Sequence, residues 1–205
     1  MTPFTPLTGI AAPLMEENVD TDIIFPARFL LITAREGLGR YAFHDRRFSA
    51  DGSEQPDFIL NQAPFRDARI LIADANFGSG SSREQAVWAL LGFGIRCVIA
   101  PSFGEIFEAN CYRNGVLPIT LPRDAIASLA QLARAGWGNF TVDLDAQQIV
   151  VDRGPTIAFT ILPERRLALL NGWDETATIL NTREADIATF EARQRSDQPW
   201  LWENA

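Results

Sequence analysis

At 205 residues, 47% of them hydrophobic and 21% charged, the chain is long enough to bury the core of one ordinary domain. Its 26 acidic side chains outnumber 18 basic ones for a net charge of -8, which argues against nucleic acid and anionic membrane as partners; all 18 bases are arginine, which excludes Schiff-base chemistry and a Walker lysine. One histidine, His44, and two cysteines, Cys97 and Cys111, cannot supply the ligands of a structural zinc or an iron–sulfur cluster, so no metal site is assigned to this chain.

In chain order, residues 9–13 and 22–25 read as short strands around the polar run Asn18-Val19-Asp20-Thr21-Asp22. That run is either an Asp-rich turn capping its own backbone or a carboxylate poised to orient a neighbour. A calcium loop is rejected, because no third and fourth ligand follows at loop spacing. Phe29-Leu30-Leu31-Ile32 reads as ordinary strand core or as a loop beside a substrate's side chain. Residues 35–64 carry no clear period and read as irregular; within them His44, in Phe43-His44-Asp45-Arg46, reads as an exposed or paired loop residue outside any site.

From 67 to 120 short apolar runs alternate with helix-like stretches, the pattern of strands joined by crossover helices. A buried strand is predicted at 68–73 and a helix at 82–93, with Ala86, Val87, Leu90 and Leu91 on one face. A second strand follows at 95–100, then a helix opened by Pro101 and Gly104 that runs through Tyr112 to a stop at Asn114-Gly115, then a third strand at 116–120. Cys97 and Cys111 lie in these apolar surroundings and read as core thiols without chemistry. The expected architecture is α/β, with a central, mostly parallel sheet and flanking helices.

Residues 140–145, 148–152 and 156–162 alternate apolar with polar and predict an antiparallel meander. Helices are predicted at 165–170, 174–180 and 182–193, each behind a capping residue. Trp88, Trp137 and Trp173 read as core or loop anchors. In the tail 196–205, Trp200 and Trp202 flank Leu201 with no predicted partner inside the chain, which suggests docking on another subunit. Residues 1–205 read as a single domain without signal peptide or spanning helix, and so as a cytoplasmic protein in a reducing compartment.

The densest chemistry lies in Asn76-Phe77-Gly78-Ser79-Gly80-Ser81-Ser82-Arg83-Glu84, between a predicted strand and a predicted helix start. A helix start exposes backbone N–H groups and the positive end of its dipole, and glycines let an anion approach that backbone. Ser81 and Ser82 add hydroxyls, and Arg83 adds a planar fork that can grip a carboxylate through two bonds. Two readings stand on these residues alone: an oxyanion site, or a serine-capped helix beside a solvated Arg83/Glu84 pair. A dinucleotide fingerprint fails, since its third glycine falls on Arg83.

The Asn18–Asp22 and Asn76–Glu84 motifs, followed by Ala100-Pro101-Ser102-Phe103, Asn114-Gly115-Val116-Leu117-Pro118 and Leu169-Leu170-Asn171-Gly172-Trp173-Asp174, occur in an order that resembles the 3-isopropylmalate dehydratase small-subunit family over nearly the whole chain. The resemblance implies the swivelling β/β/α domain of the aconitase superfamily. It also implies a partner large subunit that holds a 4Fe-4S cluster, none being bound here, and a hydro-lyase of leucine biosynthesis, active only as a complex, that dehydrates and rehydrates a small branched hydroxy acid. By resemblance Ser81 is the catalytic base, Asp22 supports the catalytic constellation, and Gly80, Ser82 and Arg83 contact substrate carboxylate. Gln85 stands where the family often has histidine, and Ser79 where cysteine is common, which leaves reaction class firmer than substrate. Citraconate, methylmalate or homoaconitate dehydration is the neighbouring alternative, and a non-catalytic anion-binding regulatory module the alternative of another class.

Overall fold

Leu7–Gly9 (β1) and Ala11–Leu14 (β2) are separated by Ile10 alone, yet they enter different sheets, so the single strand expected at 9–13 is split in two. This is a computed structural model, and it describes residues 1–32, 34–80, 82–136 and 139–202. Ser81 and Trp137, both singled out above, lie outside the described residues, as do the last three residues of the tail.

Strand β2 opens a parallel sheet in the order β2-β3-β4-β5, with Ile70–Ala73 (β3), Cys97–Ala100 (β4) and Leu117–Thr120 (β5). Every residue of β2, β3 and β4 is buried, as expected of a parallel sheet covered on both faces. Two short helices, Thr21–Ile24 (α1) and His44–Arg47 (α2), lie between β2 and β3. Between β3 and β4 runs Glu84–Phe93 (α3), and between β4 and β5 runs Glu105–Asn114 (α4). Gly94 and Gly115 end α3 and α4 in left-handed conformations, at φ 116° and 80°, a turn that a residue with Cβ would take only under strain.

The two faces of this sheet carry different layers. Ala12, Leu14, Leu71, Ala73 and Val98 pack with Val87 and Leu90 of α3 and Phe107 of α4. On the other face Ile70, Ile72, Cys97, Ile99 and Leu117 pack with Arg123–Arg134 (α5) and with the inner side of a second sheet. That second sheet, β1-β6-β7-β8, is antiparallel throughout and contains Phe140–Asp143 (β6), Gln148–Val151 (β7) and Thr156–Ala158 (β8). The expected meander and parallel centre are therefore both present. Helix α5 is not among the predicted elements, although Ile126, Leu129, Ala130 and Ala133 recur at i, i+3, i+4 and i+7 and form its buried stripe.

Two readings of the sequence change. Residues 22–25 are not a strand: the Asp20 carboxylate accepts from Ile23 N–H at 2.7 Å, and Phe25 N–H closes on the Thr21 carbonyl, so the backbone coils into α1. Residues 29–32 are not strand core. Pro26 starts a 3₁₀ turn over Ala27–Phe29, the Phe29 ring stacks on Tyr41 at 4.4 Å, and Leu31 is 93% exposed. Residues 35–64 are largely irregular as expected, with α2 and brief 3₁₀ turns; His44 is paired within them, its Nδ1 3.1 Å from Arg28 and its ring tilted against Phe29 at 4.9 Å.

At the C-terminal end, Pro163–Asn171 (α6), Glu175–Thr182 (α7) and Glu184–Asp197 (α8) occupy the three predicted helical stretches. Asp174 caps α7 by accepting from Ala177 N–H at 2.7 Å. Helix α8 runs on into the tail, which then turns through Pro199–Leu201; the Arg195 guanidinium lies 4.3 Å over the Trp202 ring. Trp202 thus does find a partner within the chain, because the longer helix brings Arg195 to it, while Trp200 and Leu201 stay exposed.

Candidate functional site

Past the C-terminal ends of β2, β3 and β4 the chain continues in register for several residues without forming regular strands. Gly78 N–H donates to the Val19 carbonyl at 2.7 Å and Thr21 N–H donates to the Ser79 carbonyl at 2.9 Å, a parallel bridge between Asp20 and Ser79. On its other side Phe77 N–H donates to the Ser102 carbonyl at 3.1 Å, and Gly104 N–H returns to the Phe77 carbonyl at 2.9 Å. The three motifs that are far apart in sequence, 18–22, 76–84 and 100–103, are stitched side by side by their own backbones. Open parallel sheets place ligands at this end of their strands.

Side chains complete the stitching. Asn76 and Asn18 both adopt left-handed backbone, at φ 59° and 58°, and the Asn76 amide donates to Asn18 Oδ1 at 2.8 Å. Asn76 N–H donates to the Ser102 hydroxyl oxygen at 2.9 Å. Sequence reasoning assigned these asparagines no role; the readable signal was asparagine itself, the non-glycine residue most tolerant of that conformation. Gly78 is held at φ 73°, and a Cβ there would sit 2.1 Å from a Phe107 ring atom. Gly80, at φ 91°, is exposed, and a Cβ on it would come 3.5 Å from Asp20 Cβ.

Helix α3 begins at Glu84 with Arg83 as its N-cap and no side-chain capping bond, so the helix starts two residues later than predicted and Ser82 is not its cap. Ser82 is exposed, two residues before α3, whose first N–H groups have no partner within the helix. Arg83 does not pair with Glu84. Its Nη1 forms a hydrogen-bonded ion pair with Asp22 Oδ1, joining two residues singled out from different motifs; the Arg83 side chain is 16% exposed and that of Asp22 50%. Asp22 is carried to this position by α1, which the expected strand would not have done. Ser81 lies outside the described residues. Gln85 is half-buried in the first turn of α3, and the Ser79 carbonyl is used in the bridge to Thr21.

Among the described residues the arrangement offers one guanidinium, one carboxylate, an exposed hydroxyl and exposed glycine backbone at a helix start. This combination fits a carboxylate or phosphate rather than a cation. Of the guanidinium's N–H groups only those on Nη1 are engaged among the described residues. Cys97 and Cys111 are fully buried, and burial pushes both thiols up, with the charge of Glu108 adding to the effect at Cys111. Neither is a thiolate offered to a metal or cluster, and among the described residues no three His, Cys, Asp or Glu side chains converge on a metal position.

Gly80 and Ser82 are exposed beside the Asp22–Arg83 pair.

Residues 1–124 match the family model of the aconitase C-terminal domain, and residues 182–201 match that of the C-terminal domain of the 3-isopropylmalate dehydratase small subunit. The chain is 54% identical over 201 residues to a 3-isopropylmalate dehydratase small subunit of Rhodospirillum centenum, an alignment covering 98% of each chain. It is 56% identical over 201 residues to that of Gluconacetobacter diazotrophicus, covering 98% of this chain and 97% of the relative. The crystal structure of 3-isopropylmalate dehydratase (leuD) from Methanocaldococcus jannaschii superposes with a TM-score of 0.64 at 28% identity, covering 90% of this chain and 99% of that one.

The stitched backbone generates a direct test. Replacing Gly78 by alanine forces a side chain into left-handed backbone and against Phe107, so the variant is expected to lose about 1–3 kcal/mol in urea unfolding. Wild-type stability in that variant would show that the loop relaxes freely.

Proposed function

The chain belongs to the 3-isopropylmalate dehydratase small-subunit family, and from that premise we propose how its own residues share the work. The activity is a hydro-lyase reaction that interconverts 2-isopropylmalate and 3-isopropylmalate through isopropylmaleate. In dehydration a base takes a proton from the carbon next to the one bearing the hydroxyl, the C–H electron pair becomes the new π bond, and the C–O bond breaks with its electron pair leaving on hydroxide; the hydroxide and the proton held by the base together make up the water eliminated. Rehydration returns the proton and the hydroxyl to exchanged carbons.

Ser81 is the proposed base. A serine hydroxyl is weak in this role, and the helix-start dipole together with the neighbouring guanidinium would lower the cost of its alkoxide, a contribution of about 10²- to 10⁴-fold for acid–base catalysis. Arg83, Ser82 and the backbone of Gly80 bind a substrate carboxylate, and Asp22 aims Arg83 through their ion pair. The exposed Leu31 is the proposed contact for the substrate's isopropyl group, since it stands out from the turn that follows α1. The observation that carries this reading is the Asp22–Arg83 pair, set beside exposed Gly80 and Ser82.

The exposed Gly80 and Ser82 need a second surface over them before water is excluded, and we assign that surface to the large subunit of a heteromeric enzyme. A 4Fe-4S cluster on the large subunit would supply the Lewis-acid site for the departing hydroxyl. The residues of this chain do not fit the cluster, because both thiols are core residues. The exposed Trp200 and Leu201 stand at the end of the arm whose sequence matches the second family model, and they are proposed to dock on the large subunit. No helix among the described residues is long and apolar enough to cross a membrane, and a reducing cytoplasmic setting suits the two unpaired thiols.

The test is reconstitution with the large subunit under anaerobic conditions, following the absorbance of the unsaturated acid formed from either isopropylmalate. Turnover supports the reading; tight anion binding by this chain with no turnover would favour a regulatory anion-binding module. Ser81→Ala is expected to lower kcat by about 10²-fold or more while the complex still assembles, and normal turnover would remove Ser81 from the chemistry. Asp22→Asn should raise KM more than it lowers kcat, for a loss of about 10- to 100-fold in kcat/KM, because the guanidinium loses its guide. Truncation before Ser196 should weaken the complex in a titration of the two subunits, and unchanged affinity would defeat the docking role of the tail.

A further inference from the structure

Immediately after Arg83 comes a second carboxylate. Glu84 is the first residue of α3, where a negative charge suits the helix dipole. In the reading proposed above, however, it also stands one residue from the guanidinium that receives a dianionic substrate. A free Glu84 side chain could compete for Arg83 and repel the substrate's carboxylates. The structure contains a device that prevents this.

Asn114, the last residue of α4, is half-buried against the start of α3. Its amide nitrogen donates to Glu84 Oε1 at 2.8 Å and to the Asn110 carbonyl at 2.9 Å, and its Oδ1 accepts from the Trp88 indole N–H at 2.9 Å. The orientation of the amide is dictated by chemistry: an indole nitrogen only donates, so it must face Oδ1, which turns the amide N–H groups toward Glu84. Trp88 stands one turn beyond Glu84 on the same helix face and carries the Arg35 guanidinium 4.3 Å over its ring. Gly115, in left-handed conformation, ends α4 at this point and leaves Asn114 at the helix terminus.

We propose that Asn114 is a positioning residue for substrate binding: it holds the Glu84 carboxylate against α4, so that the charge beside Arg83 is kept off the anion-binding face. The primary amide meets both partners with opposite ends of one planar group, accepting from the indole through Oδ1 and donating to the carboxylate through Nδ2. Aspartate would keep the indole bond and set two carboxylates against each other, driving Glu84 outward. Exchanging the chemistry of both partners restores it, because a glutamine at 84 can donate to an aspartate at 114.

The experiment uses the complex reconstituted with the large subunit and measures KM and kcat for 2-isopropylmalate, with thermal melting of each variant. Asn114→Asp is expected to raise KM by about tenfold and to change kcat by less than about threefold, and the double variant Asn114→Asp with Glu84→Gln to return KM to within about threefold of wild type. A lowered melting temperature with unmoved KM, or a raised KM that the double variant fails to restore, overturns the assignment. Should Asn114→Asp not fold, Asn114→Ala carries the test, since it frees Glu84 without adding charge or a donor; it too must raise KM, and an unchanged KM overturns the proposal. The inference rests on the reading of Arg83 given above. Absence of turnover in the wild-type complex would sink that reading, whereas wild-type turnover with an indifferent Asn114→Asp variant would sink this inference alone.

Discussion

The functional face depends on a backbone constraint: Gly78 N–H on the Val19 carbonyl and Thr21 N–H on the Ser79 carbonyl, at 2.7 and 2.9 Å. These bonds carry the parallel pairing of β2 and β3 past the ends of the strands, with Phe77 and Gly104 repeating the arrangement toward β4. A buried backbone group without a partner is costly, so loops leaving the sheet side by side satisfy one another or shift. The consequence is positional. Asp22 reaches Arg83 because Thr21 is fastened to Ser79, and α1 starts where Asp20 caps it.

Around this frame the polar side chains partition by direction. Asp22 and Arg83 pair at the surface with the rest of the guanidinium open among the described residues, whereas Glu84, the neighbour of Arg83, is turned the other way into the Asn114 and Trp88 network. Adjacent residues at a helix start thus point to different partners, since Arg83 is still extended as the N-cap while Glu84 is the first helical residue. An exposed hydrogen-bonding group in water gains little from each bond, because solvent competes for every donor, and in the reading proposed above Gly80 and Ser82 become effective when a second surface closes over them.

Much of this was readable in one dimension. The Asn76–Glu84 loop showed glycines, hydroxyls and a guanidinium before a helix, and the alternation from 67 to 120 showed strands and crossover helices, because buried parallel strands are apolar throughout and their helices carry a 3.6-residue stripe. Asn114-Gly115 marked a helix end that the structure keeps at the same residues. Other features were not readable in that way. Residues 21–24 look like a strand by composition, and only the carboxylate of Asp20 on the Ile23 amide makes them a helix. The split between β1 and β2 depends on Ile10, whose carbonyl serves Arg69 and Ile70 while the flanking residues pair with different sheets. Leu31, apolar and in an apolar run, faces solvent because Pro26 turns the chain and Phe29 takes the place against Tyr41.

Along the chain, the order of short motifs carried the resemblance to the family and with it the reaction class, and residue types at short spacing put glycines, hydroxyls and a guanidinium before a helix. Pairings across long separations were decided by packing: Asp22 with Arg83, Asn18 with Asn76, and Asn114 with both Glu84 and Trp88. A side chain's partner tens of residues away is fixed by which strands lie adjacent and where each helix begins, and both are outcomes of burying two apolar faces of one sheet at once.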